Sequence, residues 1–195
     1  MRGDYGNGKF NNFCKNIVCE IDYAVNNNKS WTSATGRVYN GTDLVKYQEE
    51  LYAEMFIKHQ SEIEGFFKFP LTISSDVQVL EYTKDAFYKA HSDDSNMLVD
   101  NEKLVGFIPV AKNRKLTTVL FTTSYDEKND SLNSFNGGEL LFNFLYDSNK
   151  NQIKIKPKKG DMLVFLSNPY FTHEVLKIKS GYRLTLVQWH DALIN

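Results

Sequence analysis

The segment YKAHSDD, residues 88–94, sets a histidine and an aspartate two positions apart, His91 and Asp93. In an extended strand, residues i and i+2 project from the same side, so an imidazole nitrogen and a carboxylate oxygen would converge on one point. Such a pair is an incomplete metal site, and another ligand has to come from a distant part of the chain. Two histidines follow downstream, His173 and His190. His173 lies at the start of THEVLKIK, read as a strand whose hairpin partner, YRLTLVQW, carries Arg183. His190 falls on the face opposite Trp189, and His59 falls within a helical segment, so neither is expected at the site. Two neutral imidazoles and one carboxylate leave three coordination positions open. That suits non-haem Fe(II), which must hold a cosubstrate and dioxygen together, whereas a four-ligand structural zinc site is closed.

The elements that must position these groups change character near Pro70. Before it, Asn-rich stretches (NGKFNN, NNNKS) give way to TDLVKYQEELYAEMFIKHQSEIEGFF. There Leu44, Leu51 and Met55, with Val45, Tyr52 and Phe56, share one side at helical spacing, and Thr42 and Asp43 suit a helix start. After Pro70 the period becomes two, in DVQVLEY, FYKAHSD, KLTTVLFTTS, GELLFNFLYD, QIKIKP, DMLVFLS, THEVLKIK and YRLTLVQW. QIKIK alternates as a strand with one wet face, and DMLVFLS is apolar enough to be covered on both. A helical preface over about residues 1–69 and roughly eight strands over about residues 70–191 predict a mainly β (α+β) fold. The expected architecture is a double-stranded β-helix, or jelly roll, with helices packed on one sheet.

The strand segments carry further spacing. The order His-x-Asp, then His, then Arg ten residues later, with Tyr82 nine and Tyr88 three residues before His91, resembles the 2-oxoglutarate/Fe(II)-dependent dioxygenases of the prolyl 4-hydroxylase-like branch. RKLTTVLF resembles that family's Arg-x-x-Thr strand, GGELLF its Gly-Gly-Glu turn, and KPKKGDMLVF its Pro-x-x-Gly-Asp lead into the strand before the last histidine. The resemblance covers residues 70–190 and implies His91, Asp93 and His173 as metal ligands. Arg183 would bind the C5 carboxylate of 2-oxoglutarate, with Tyr82 and Thr185 beside it. Cofactors would be Fe(II), 2-oxoglutarate and O2, with ascorbate as a candidate reductant. Phe121 stands where many relatives have a second carboxylate-binding tyrosine, and losing one such hydrogen bond costs about 1.5–3 kcal/mol. Because Asp93 is present where halogenases of the family have a small residue, the implied reaction is hydroxylation, with 2-oxoglutarate converted to succinate and CO2.

Tyr88, Arg114 and Trp189 match the positions that form the substrate pocket in prolyl hydroxylases. They imply a prolyl residue of a peptide or protein, a free amino acid, or another compact amino acid side chain as substrate. Loops DSNMLVDNEKLVG and YDEKNDSLNSFN border the expected mouth. A non-catalytic jelly-roll binding module is the alternative from another class. A nucleic-acid partner is disfavoured by the net charge of −1 over 195 residues. With 42% apolar and 24% charged residues, the chain reads as one globular domain, 1–195. No signal peptide or membrane-length apolar run is evident, and Cys14 and Cys19 lack a second pair to complete a zinc site. Reduced thiols on an N-terminal helix and a cytoplasmic location are expected.

Overall fold

The structure, a computed structural model, describes residues 31–33, 36–39, 46–128 and 134–192. Cys14, Cys19, Thr42, Asp43, Leu44 and Val45 lie outside them, as do the side chain of Leu51 and part of the 125–136 loop. In chain order the elements are β1 (Trp31–Ser33), β2 (Gly36–Tyr39), α1 (Lys46–Phe67), β3 (Leu71–Ser74), β4 (Gln78–Tyr82) and β5 (Tyr88–His91). Next come β6 (Ser95–Asp100), β7 (Lys103–Pro109), β8 (Arg114–Phe121), β9 (Ser124–Tyr125), β10 (Ser134–Gly137) and β11 (Leu140–Tyr146). The chain ends with β12 (Gln152–Ile155), β13 (Met162–Leu166), a 3-10 turn (Pro169–Phe171), β14 (His173–Val175), β15 (Ile178–Gly181) and β16 (Arg183–Ala192).

The major sheet runs β1-β2-β4-β16-β8-β13, with β3 also on β16, and the minor sheet runs β12-β11-β14-β5. Alternation on the two central strands decides which side chains face the minor sheet. Antiparallel pairing sets Thr185 opposite Phe121, Val187 opposite Val119, and Trp189 opposite Thr117, all on one face. Val119, Phe121, Phe165 and Val187 of the major sheet close against Leu140 and Phe142 of β11 in one buried cluster. This is the expected jelly-roll core, mainly β, with its two sheets sharing an interior.

The opposite face of the major sheet takes the helix. Tyr52, Met55 and Phe56 are buried, as their spacing predicts, and Ile63 joins them. Phe56 and Ile63 pack with Leu116, beside Val164 and Leu166 of β13. So both faces of β13 meet apolar partners, although it lies at the sheet edge. A polar thread crosses the same interface: Tyr52 Oη meets Thr118 Oγ1 at 3.0 Å, and Thr118 Oγ1 meets His190 Nε2 at 3.0 Å. His190 Nδ1 reaches Ser74 Oγ at 2.8 Å, and its ring stacks on Phe56 at 4.2 Å. The helix ends where Lys68 adopts φ 64° ahead of Pro70.

Four expectations are corrected. The preface is not helical throughout, because β1 and β2 form a hairpin whose second strand extends the major sheet at β4. DSNMLVDNEKLVG is not an irregular loop but largely the β6–β7 hairpin, turned at Asn101 and Glu102 with φ 47° and 63°. THEVLKIK is two strands, not one: β14 pairs with β11 and β5, while β15 pairs with β10. Arg183 is therefore not on a hairpin partner of His173; the chain crosses between sheets, and β16 pairs with β4, β8 and β3. Finally, β5 stops at His91, and Asp93 sits in the bend that follows.

Candidate metal and cosubstrate site

Strand register builds the centre. Antiparallel pairing of β5 and β14 sets His91 directly opposite His173, with ring centroids 4.4 Å apart. The bend after β5 returns Asp93 toward them, so donor atoms of all three residues lie within 4.8 Å of one another. Asp93 and His173 are buried, and His91 is half-buried. Each histidine has its Nδ1 2.9 Å from a backbone carbonyl two residues upstream, Lys89 O for His91 and Phe171 O for His173. A carbonyl only accepts, so Nδ1 carries the proton and Nε2 presents its lone pair inward.

The local electrostatics suit a cation. Burial disfavours a charge on Asp93, yet a hydrogen bond from His91 when that ring is protonated, the charge either imidazole then carries and the Thr117 hydroxyl hold its pKa at about 2. Burial drives His173 down to about 4. Burial also works against a charge on His91, but Asp93 outweighs it and raises that pKa above the ordinary value. His91 Nε2 and Asp93 Oδ1 are 3.5 Å apart, an ion pair only when the ring is protonated. A carboxylate with two neutral Nε2 atoms is the donor set a divalent transition metal takes.

Behind this group lies a cavity of about 250 Å³, lined by Tyr82, Tyr88, Arg114, Arg183, Thr185 and Trp189 as well as the triad. Arg183 is 1% exposed and sits over three rings, Tyr82 at 4.9 Å, Phe121 at 5.4 Å and Phe135 at 5.9 Å. Its Nη1 donates to Thr185 Oγ1 at 3.5 Å, the limit of a hydrogen bond, and its Nε has no partner among the described residues. Burial lowers its pKa to about 10, with Tyr82 partly opposing the shift. Burial likewise pushes the Tyr82 phenol up. A buried guanidinium with an unused donor fits an anionic ligand, because desolvated charge is costly until it is paired.

The Gly-Gly turn before β11 makes room for that arginine. Gly137 and Gly138 have φ 73° and 64°. A Cβ on Gly138 would sit 2.0 Å from Ile178 Cδ1 and 3.3 Å from Arg183 Cδ. The turn therefore needs glycine for backbone conformation and for space.

All nine residues singled out by spacing or by the family resemblance line this one cavity. Tyr88 lies with its ring 4.6 Å from that of His91. Arg114 stacks on Trp189 at 4.0 Å and donates from Nη1 to the carbonyl of Asp93 at 2.6 Å, so it braces the bend as well as lining the cavity. Trp189 Nε1 is buried and makes no hydrogen bond among the described residues. His190 is buried on the far face of the sheet, and His59 lies on the helix. Sequence reasoning missed Gln78, which lines the cavity, and Ser167, whose hydroxyl meets that of Thr117. Nothing in the spacing of either residue marks it.

The 2OG-Fe(II) oxygenase superfamily model matches residues 77–191, the segment that carries every one of these groups. The chain belongs to that superfamily. It is a dioxygenase, and its cofactors are Fe(II) and 2-oxoglutarate, with O2 as oxidant. A prolyl-4-hydroxylase from Pseudomonas putida is similar in structure, with TM-score 0.65 and 18% identity over 94% of this chain and 88% of that one. A viral collagen prolyl hydroxylase from Paramecium Bursaria Chlorella virus-1, in its 2OG complex, gives 0.57 and 20% over 90% and 91%. A Trichoplax adhaerens prolyl hydroxylase, in complex with a hypoxia inducible factor peptide fragment, gives 0.62 and 14% over 92% and 78%. These likenesses establish the shared fold. Among curated proteins, none matches this sequence.

Proposed function

We propose that this dioxygenase hydroxylates a prolyl residue of a peptide or protein, holding the metal with His91, Asp93 and His173. Residues 1–195 are read as one catalytic domain. When bound, Fe(II) with 2-oxoglutarate supplies O2 activation, one oxygen atom entering the substrate C–H bond and the other the succinate formed with CO2. The protein's own residues orient the reactants and keep water out. Arg183 would clamp the C5 carboxylate of 2-oxoglutarate, with the Tyr82 and Thr185 hydroxyls beside it. Leu80, Val119, Leu140 and Val187, which also line the cavity, exclude water from its apolar walls.

The observation that carries the prolyl reading is the placement of Tyr88 and Trp189 around the triad within one cavity. Aromatic walls suit a compact apolar ring, and the unpartnered Trp189 Nε1 offers a donor to a peptide carbonyl. Prolyl hydroxylases recur among the structural neighbours, one of them with a bound peptide.

The test is mass spectrometry of proline-containing peptides, free proline and other free amino acids after incubation with Fe(II), 2-oxoglutarate and ascorbate in air. Addition of one oxygen to a peptidyl proline, matched by succinate, is expected. Oxygen on a free amino acid alone, with peptides untouched, would overturn the peptide assignment.

A further inference from the structure

Asp93 has two oxygens, and a carboxylate can chelate a metal with both. With two imidazoles, a chelating Asp93 would fill four of six positions and leave two. The cosubstrate needs two positions and O2 a third, so the second oxygen has to be kept away from the metal. We propose that Thr117, backed by Ser167, is the positioning residue that does this, holding Asp93 as a one-oxygen ligand.

The geometry is specific. Thr117 lies on the inward face of β8, and its Oγ1 donates to Asp93 Oδ2 at 2.6 Å. An ionised carboxylate only accepts, so the single Thr117 proton is spent on Asp93. The contact between Thr117 Oγ1 and Ser167 Oγ, at 2.9 Å, must then run from Ser167 to Thr117. The Thr117 hydroxyl thus donates once and accepts once, the Ser167 hydroxyl donates, and all three residues are buried. A short charge-assisted hydrogen bond of this kind resists rotation of the carboxylate.

Ser167 is itself anchored at both ends. Its backbone N–H donates to Lys115 O at 2.9 Å, which ties it to β8. Its carbonyl accepts from Ser92 Oγ at 3.1 Å and from the Asp94 N–H at 3.1 Å, the residues on either side of Asp93. The relay therefore fixes the bend and the carboxylate together. Asp93 Oδ1 is left on the His91 side.

This inference rests on the metal-site reading, and the experiment separates the two. Thr117→Val keeps the shape and removes the donor, Thr117→Ser restores the donor, and Ser167→Ala removes only the backing. Co(II) binding is followed by its visible d–d absorption, which reports coordination number and geometry, and 2-oxoglutarate is then titrated into the Co(II) protein. Thr117→Val should bind Co(II) about tenfold more weakly with an altered spectrum and lose 2-oxoglutarate affinity. Thr117→Ser should recover both, and Ser167→Ala should shift in the same direction by less. If Thr117→Val fails to fold, the Ser167→Ala spectrum decides: a wild-type spectrum and affinity overturn the proposal. Wild-type behaviour of Thr117→Val, or an equally impaired Thr117→Ser, overturns it too. If the unaltered protein takes up no Co(II), the metal site itself is refuted, and this proposal with it.

Discussion

His91 and His173 spend their Nδ1 protons on main-chain carbonyls, so one tautomer of each ring meets Asp93 at the centre. Removing His91 takes away a proposed ligand without disturbing the inter-sheet core. His91→Ala should keep its circular dichroism and lose Fe(II) affinity by roughly 100-fold or more, more than outer-shell changes usually cost. Retained affinity in an equilibrium metal titration would argue against the assignment. Phe121 offers the opposite kind of change. It faces Thr185 across the strands, with its ring 5.4 Å from the Arg183 guanidinium. Phe121→Tyr would add a hydroxyl beside the proposed carboxylate site, and a hydrogen bond to a charged group is worth about 1.5–3 kcal/mol. Calorimetric titration of the Fe(II) protein should show 2-oxoglutarate binding tightened by about tenfold or more, and weaker binding would mean that the ring is needed where it stands. The sequence singled out the histidines and Asp93 by residue type and spacing and Arg183 by the family resemblance, and the fold brings all four round one cavity. The Arg-x-x-Thr resemblance marked Thr117 but not its role, which shows only when the fold sets it against Asp93.

Elements decide how firmly the site is held. The Gly137–Gly138 turn lets β15 and the Arg183 side chain approach β11. Gly138→Ala should destabilise the protein by about 1–3 kcal/mol, from positive φ and the collision with Ile178, and should also weaken 2-oxoglutarate binding. An unchanged melting temperature would show that the turn relaxes without cost. Between helix and sheet, burial depresses His190 from 6.5 to about 4. The unfolded chain thus binds the proton more readily between those values. This contribution to stability is complete above about pH 6.5, falls as pH drops toward 4, and totals roughly 3 kcal/mol. Urea unfolding of wild type and His190→Gln across that window should show a smaller acid loss in the variant; parallel curves would contradict the account. Other elements were less legible. The break between β14 and β15 shows in the sequence only as the adjacent apolar pair Val175 and Leu176, with no glycine or proline to mark it. The β6–β7 turn at Asn101 and Glu102 lacks glycine, and β1 and β2 are only three and four residues long. The helix face and the strand-rich remainder read well because their periods extend over many residues.

At the scale of the molecule, two sheets close on an apolar core and leave one cavity in which the proposed metal ligands and a buried guanidinium share a wall lining. The jelly-roll architecture was legible from the change of period at Pro70 and the recurrence of short strands, whereas the pairing between sheets depends on contacts far apart in the chain. Among the described residues no helix is long and apolar enough to cross a membrane. Whether the triad and Arg183 form one working cosubstrate site is decided by anaerobic visible absorption of the protein with Fe(II), before and after 2-oxoglutarate is added. A metal-to-ligand charge-transfer band is expected in the unaltered protein, weakened in Arg183→Ala and absent in His91→Ala. No band at saturating cosubstrate, or a band that survives unchanged in His91→Ala, would contradict the account.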